Sequence, residues 1–130
     1  MNKLLIDTNA LLRFLLKDIP EQTSKVRNKF KEAKKGKLEI LVPQIVIFEI
    51  VYVLSKFYGF SKIRVVEGIE TILASTYLTI EDREIFMESI KLYKIQSISF
   101  VDCFSLCKAK HHEISIFTFD KKLKNMHKEI

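Results

Sequence analysis

Short apolar runs alternate along this chain with longer segments in which apolar residues recur at helical spacing. The short runs have the length and the apolar or β-branched composition of strands, and they lie at residues 4–6, 38–42, 77–80 and 115–119. The longer segments repeat apolar positions every three or four residues, which predicts amphipathic helices between the strands. The first run is predicted to be a buried strand.

Strands and helices alternate with no hairpin signal, internal repeat or low-complexity linker. This order predicts an α/β fold in which helices cover both faces of a parallel sheet. A chain of 130 residues is large enough for one hydrophobic core, so a single domain spanning residues 1–130 is expected.

Four acidic residues lie where the predicted segments change type. Asp7 follows the first strand, Glu49 interrupts a strongly apolar helix, Asp102 opens a helix, and Asp120 follows the fourth strand. Carboxylates among apolar residues are unfavourable unless they are paired or bind a metal. Glu49 in particular is expected to face something other than solvent.

The carboxyl ends of parallel strands meet at one edge of a sheet, where ligands bind. Asp7 and Asp120 both follow strands, so we expect them at that edge. Taken singly, each acid has a simpler interpretation, because Asp7 is a favoured helix cap, Asp102 suits a first helical turn and Asp120 suits a turn. A shared pocket for a divalent cation explains all four together.

The formal net charge is +6 and the pI is about 9.3, which favours a polyanionic partner. The positive residues are mostly lysines, which suit phosphate contact more than base reading. The lysines between residues 25 and 37 form either an RNA-binding track or a solvated helix face. Arg13 and Lys121 lie near acids in the sequence and are better candidates for RNA contact than these lysines. Base stacking on the aromatic group Phe57, Tyr58 and Phe60 is one interpretation, and a core or dimer contact is the other.

Cys103 and Cys107 share one helix face at a spacing of four residues, and packed core thiols are expected rather than a zinc site. No apolar run approaches the roughly 20 residues that a bilayer crossing requires. No secretory leader is evident at the amino terminus. The cytoplasm is therefore the expected location.

The segments around the four acids resemble the PIN-domain nucleases, and the length resembles the VapC toxins of type II toxin–antitoxin pairs. The matching segments are residues 5–9, 48–49, 99–102 and 117–120, in the family's order. The resemblance implies a three-layer α/β/α sandwich with a central four- to five-stranded parallel sheet. Only ten residues follow Asp120, and they have a helical pattern, so the fifth strand is in question.

By this resemblance, Asp7, Glu49, Asp102 and Asp120 bind Mg²⁺ or Mn²⁺ and carry out catalysis, while Asn9 and Thr118 support them. Hard oxygen ligands suit these ions, which activate water and neutralise charge on an attacked phosphate. The implied activity is metal-dependent endoribonuclease cleavage of single-stranded or loop RNA. The implied partners are an antitoxin protein and, because of the apolar helices between residues 43 and 75, a second copy of the chain.

Two other functions fit the same residues. The acids could serve a metal-dependent DNA nuclease or a phosphatase. The basic surface could also belong to a non-catalytic RNA-binding domain, although the complete set of acids argues against that interpretation.

Overall fold

The computed structural model describes residues 2–129. The chain divides into two compact units, Met1–Glu81 and Asp82–Ile130. The single domain expected from the length stays a prediction.

The first unit contains every strand of the described residues and four helices. In chain order its elements are β1 (Asn2–Leu5), α1 (Thr8–Leu16), α2 (Pro20–Lys34), β2 (Leu38–Val42), α3 (Gln44–Lys56), α4 (Lys62–Ala74) and β3 (Leu78–Ile80). Two helices therefore separate each strand from the next, as a parallel sheet requires.

The three strands form one parallel sheet in the order β1-β2-β3. Ile40 pairs with Leu4 on one side and with Leu78 on the other. Leu38, Ile40 and Val42 are buried, because β2 is the central strand and packs against the helices. The predicted strands at residues 38–42 and 77–80 are confirmed to within one residue.

β1 is an edge strand, and the prediction that it is buried is wrong. All four of its residues are exposed, and the side chain of Leu5 is 67% exposed. Within residues 2–129 the strand has β2 as its single hydrogen-bonded neighbour. The apolar run of residues 4–6 therefore reflects strand propensity here, and only Ile6, just beyond the strand, is buried.

The second unit consists of α5 (Arg83–Ile95), α6 (Phe100–His112) and α7 (Lys121–Glu129). Phe86 stacks on Phe100 with ring centroids 6.1 Å apart. Leu106, Leu123 and Met126 form a buried hydrophobic cluster in this unit. None of the helices within residues 2–129 combines the length and apolar composition needed to cross a bilayer.

The predicted fourth strand at residues 115–119 is wrong. This segment has no regular strand hydrogen bonding, and α7 follows it directly, so residues 2–129 contain three strands rather than four or five. Phe117 and Phe119 are 89% and 86% exposed. A segment with this β-branched and aromatic composition forms a strand only where a neighbouring strand supplies hydrogen bonds.

The two cysteines are free and buried, which confirms the expectation of core thiols. Burial raises the pKa of the Cys107 thiol, so this side chain is a neutral packing group at neutral pH.

Arg13 is a buried cation, 7% exposed, in the last turn of α1. Its Nη1 lies 3.1 Å from both carboxylate oxygens of Asp18, and its Nη2 donates to the Tyr58 hydroxyl at 3.4 Å. Thr23 Oγ1 donates to the Arg13 carbonyl at 2.8 Å. This network ties the end of α1 to the start of α2. The prediction that Arg13 contacts RNA is wrong, because its guanidinium is buried and paired with Asp18.

Replacing Asp18 should therefore destabilise the protein. Asp18→Ala leaves the buried Arg13 charge without its carboxylate, and we expect the free energy of unfolding to fall by about 1–3 kcal/mol. Urea denaturation measures this change.

The control is Glu32→Ala, which removes the exposed Lys29–Glu32 pair at 3.4 Å and should change stability by less than about 1 kcal/mol. Equal losses in the two variants would contradict the structural role of the Arg13 network.

Candidate active site

Asp7 lies at the carboxyl end of β1 and begins α1. The Ile6 N–H donates to the Leu41 carbonyl at 3.0 Å, so pairing with β2 continues up to the residue before Asp7. Asp7 Oδ1 then accepts the Ala10 N–H at 2.9 Å as the N-cap of α1. The side chain is exposed and fixed by this bond, as required of a ligand at the sheet edge. Asn9, the proposed supporting residue, is exposed in the first turn of α1.

Asp7 also lines a cavity of about 640 Å³ that borders β1 and α2. Its apolar lining includes Leu5 and Phe30, and its charged lining includes Lys25 and Lys29. The sequence left open whether the basic face of α2 contacts RNA or only solvent. The structure places two of its lysines beside the same cavity as the first acid.

Glu49 is exposed on the outer face of α3, so the expectation that it avoids solvent is wrong. The buried face of this helix is formed by Val46, Ile47, Ile50, Val51 and Leu54. Since these residues account for the apolar sequence around Glu49, the carboxylate falls on the opposite face.

Asp102 and Asp120 both lie at helix starts in the second unit. Asp102 is half-buried in the first turn of α6, and its N–H donates to Ser99 Oγ at 3.1 Å. Asp120 Oδ1 accepts the Leu123 N–H at 2.9 Å, and Thr118 Oγ1 accepts the Asp120 N–H at 3.1 Å. The proposed supporting residue Thr118 thus contacts the backbone of the last acid.

The four acids are divided between the two units, with Asp7 and Glu49 in the first and Asp102 and Asp120 in the second. Within residues 2–129, no three His, Cys, Asp or Glu side chains lie close enough together to hold a metal ion. Convergence of the four acids therefore stays a prediction.

The donor chemistry of the four acids fits a hard cation. All four are carboxylates, and within the described part of the chain none forms an ion pair with Lys or Arg. Their negative charge is therefore not already neutralised by a protein cation, and carboxylate oxygens are the ligands that Mg²⁺ and Mn²⁺ prefer.

Glu81 is a further acid at the carboxyl end of a strand, and no sequence pattern singled it out. It directly follows β3, its N–H donates to the Val42 carbonyl at 3.1 Å, and α5 begins only at Arg83. Its Oε1 accepts the Gln44 N–H at 2.7 Å, at the start of α3. Pro43 offers no side-chain cap there, so Glu81 supplies one from the neighbouring strand, a contact between distant residues that local sequence does not encode.

Known proteins that are similar to this chain show which family it belongs to. Residues 4–129 match the PIN domain. The chain is also similar to a VapC ribonuclease from Aquifex aeolicus (strain VF5), with 32% identity over 123 residues that cover 94% of this chain and 90% of that protein. Both matches extend over nearly the whole chain, and the chain therefore belongs to the PIN-domain family.

Proposed function

We propose that this protein is a metal-dependent endoribonuclease that cleaves single-stranded RNA or the loops of structured RNA. The observation that carries this proposal is the similarity, over 94% of the chain, to a protein named VapC ribonuclease. The carboxylates at residues 7, 49, 102 and 120 and the net charge of +6 agree with it, because a nuclease needs both a cation site and attraction for a polyanion.

In this proposal Asp7, Glu49, Asp102 and Asp120 are the ligands of Mg²⁺ or Mn²⁺. The cation, when bound, would supply an activated water and positive charge at the attacked phosphate. The chain holds two of these ligands through backbone bonds, since Asp7 accepts the Ala10 N–H and Asp120 accepts the Leu123 N–H. Thr118 and Asn9 would orient neighbouring ligands by hydrogen bonds.

A substrate panel tests the reaction class directly. Purified protein is incubated with RNA, DNA and a chromogenic phosphate ester, each in Mn²⁺ or in EDTA. We expect cleavage of RNA in Mn²⁺ and none in EDTA. Cleavage that EDTA leaves intact would refute the metal mechanism, and equal cleavage of DNA would favour the DNA nuclease. Inactivity on all three substrates in Mn²⁺ would favour a non-catalytic RNA-binding domain.

Asp7→Asn should abolish cleavage without unfolding the protein. Asparagine caps helices as well as aspartate does, so the Ala10 N–H keeps its acceptor. We expect RNA cleavage to fall by roughly 100-fold or more. Thermal stability should stay the same or rise, because one member of a repelling carboxylate group becomes neutral.

The same variant gives a readout that does not depend on activity. Mn²⁺ at about 100 times its dissociation constant should add about 2.7 kcal/mol to the stability of the native protein, and Asp7→Asn should lose most of this gain. Glu21→Gln, an exposed first-turn carboxylate of α2, is the matched control and should keep both cleavage and the metal effect. If millimolar Mn²⁺ does not change the melting temperature of the native protein, that result counts against the proposed metal site.

Biologically, we propose that the protein is the toxin of a type II pair, acts in the cytoplasm and is inhibited by a small antitoxin. Similarity to a VapC ribonuclease supports this role. A small open reading frame directly upstream of the gene would favour it over a role in RNA processing or decay.

We also propose a homodimer. Large apolar side chains remain exposed on α3 and α4 and in the turn between them, at Ile45, Tyr52, Phe57 and Ile63. Exposed apolar groups of this kind favour association. Sedimentation equilibrium should give twice the chain mass of 15.3 kDa, and Tyr52→Arg should shift the protein towards the single-chain mass. A native protein that sediments as a single chain would exclude the dimer.

A further inference from the structure

A second cavity of the first unit has no part in the proposed acid site. Its volume is about 420 Å³, within the roughly 300–1,000 Å³ that small-ligand sites occupy. The last turn of α1 forms part of its wall, through Phe14 and Leu15. Asp7 lies at the other end of this helix, roughly 13 Å away along the axis at 1.5 Å per residue.

Three cations line this cavity, Lys17, Arg27 and Arg64. Each is exposed, and within residues 2–129 none of them forms an ion pair with a carboxylate. Arg13, in contrast, is enclosed and paired with Asp18. Unpaired cations around one concave surface raise the local concentration of anions, so the cavity favours an anionic ligand.

Arg64 lies on an aromatic ring within the same cavity. Its Cζ is 3.7 Å from the centroid of Phe60, and both residues line the cavity. The contact with the ring holds the planar guanidinium in place. Nucleic-acid bases stack on guanidinium planes as they do on aromatic rings. The apolar wall at Phe14, Leu15 and Leu54 suits the flat face of a base.

Glu67 distinguishes a nucleotide from a simple polyanion. It lines the cavity beside the three cations, and no described residue forms an ion pair with it. A carboxylate here repels a ligand that is negative throughout. The same carboxylate accepts hydrogen bonds from ribose hydroxyls or from an exocyclic amino group.

We propose that this cavity is a nucleotide-binding site. The base lies against the Arg64–Phe60 pair, Arg27 and Lys17 bind phosphate, and Glu67 accepts from the ribose or the base. The nucleotide is either free or one unit of a bound RNA, and binding does not depend on cleavage at the acid site.

The test measures binding of 5′-adenylate and of an eight-nucleotide adenosine RNA in EDTA, by titration calorimetry. We expect Arg27→Gln and Arg64→Glu each to weaken binding by about tenfold or more, since each removes a hydrogen-bonded charge. Arg64→Lys keeps the charge and loses the stacking plane, so it should weaken nucleotide binding while keeping binding of inorganic phosphate. The matched control is Lys37→Glu, an exposed turn residue that lines neither cavity described above.

Each outcome decides the assignment. Binding of 5′-adenylate supports a free nucleotide as ligand, and binding of the RNA alone supports an RNA contact. Failure of both probes to bind would overturn the proposal, and so would equal binding of an oligoglutamate peptide or equal weakening by Lys37→Glu. Chemical-shift changes at the amide of Gly68, a residue that also lines the cavity, locate the site independently. Because EDTA removes metal, the result holds whether or not the protein cleaves RNA.

Discussion

The parallel pairing of β2 with both of its neighbours determines which residues of the first unit lie at the carboxyl ends of the strands. Leu5 pairs with Leu41, and Val42 pairs with Ile80. This register brings the ends of all three strands to one edge. Asp7 after β1, the start of α3 after β2 and Glu81 after β3 therefore all lie at the same edge of the sheet. A slip of one residue would turn the buried side chains of β2 towards the opposite face, so the core and the sheet edge depend on the same register.

At that edge some of the acids cap the first turns of helices. Asp7 and Glu81 each accept a backbone N–H, the first at the start of α1 and the second at the start of α3. Capping explains why an acid is tolerated at each position without any metal. It also fixes the direction of each side chain. A carboxylate that caps a helix is therefore already held in place by one oxygen. Binding of a cation to the other oxygen would then cost less side-chain conformational entropy.

Those parts of the fold that arise from local patterns were predictable from the sequence. The helices and the strands at residues 38–42 and 77–80 follow from apolar spacing, and Ser61 and Ser99 form the caps that their residue types favour. Residues 115–119 have an equally strong strand pattern and form none. The difference lies outside the segment, because a strand needs a hydrogen-bonded neighbour and composition does not specify one.

The same distinction applies to the candidate site. Each of the four acids was identified from its place at a segment boundary, and their convergence into one site stays a prediction. Glu81 was not singled out, because its contact with Gln44 joins residues far apart in sequence. Arg13 was assigned to RNA because it lies near Asp7 in sequence, yet its buried pairing with Asp18 gives it a structural role.

The distribution of arginine in the first unit follows from what its side chain can do. Arg13 is used inside, where its fork contacts Asp18 and Tyr58 at once. Arg27 and Arg64 both line the second cavity, whereas the cations beside Asp7 are Lys25 and Lys29. Lysine attracts phosphate as a point charge, while arginine also stacks and binds in a fixed plane. Lysine near the acid therefore favours general attraction of a polyanion, and arginine at the far end of α1 favours recognition of a particular group. If RNA occupies both places, its backbone is attracted along the first surface and one of its nucleotides is selected at the second.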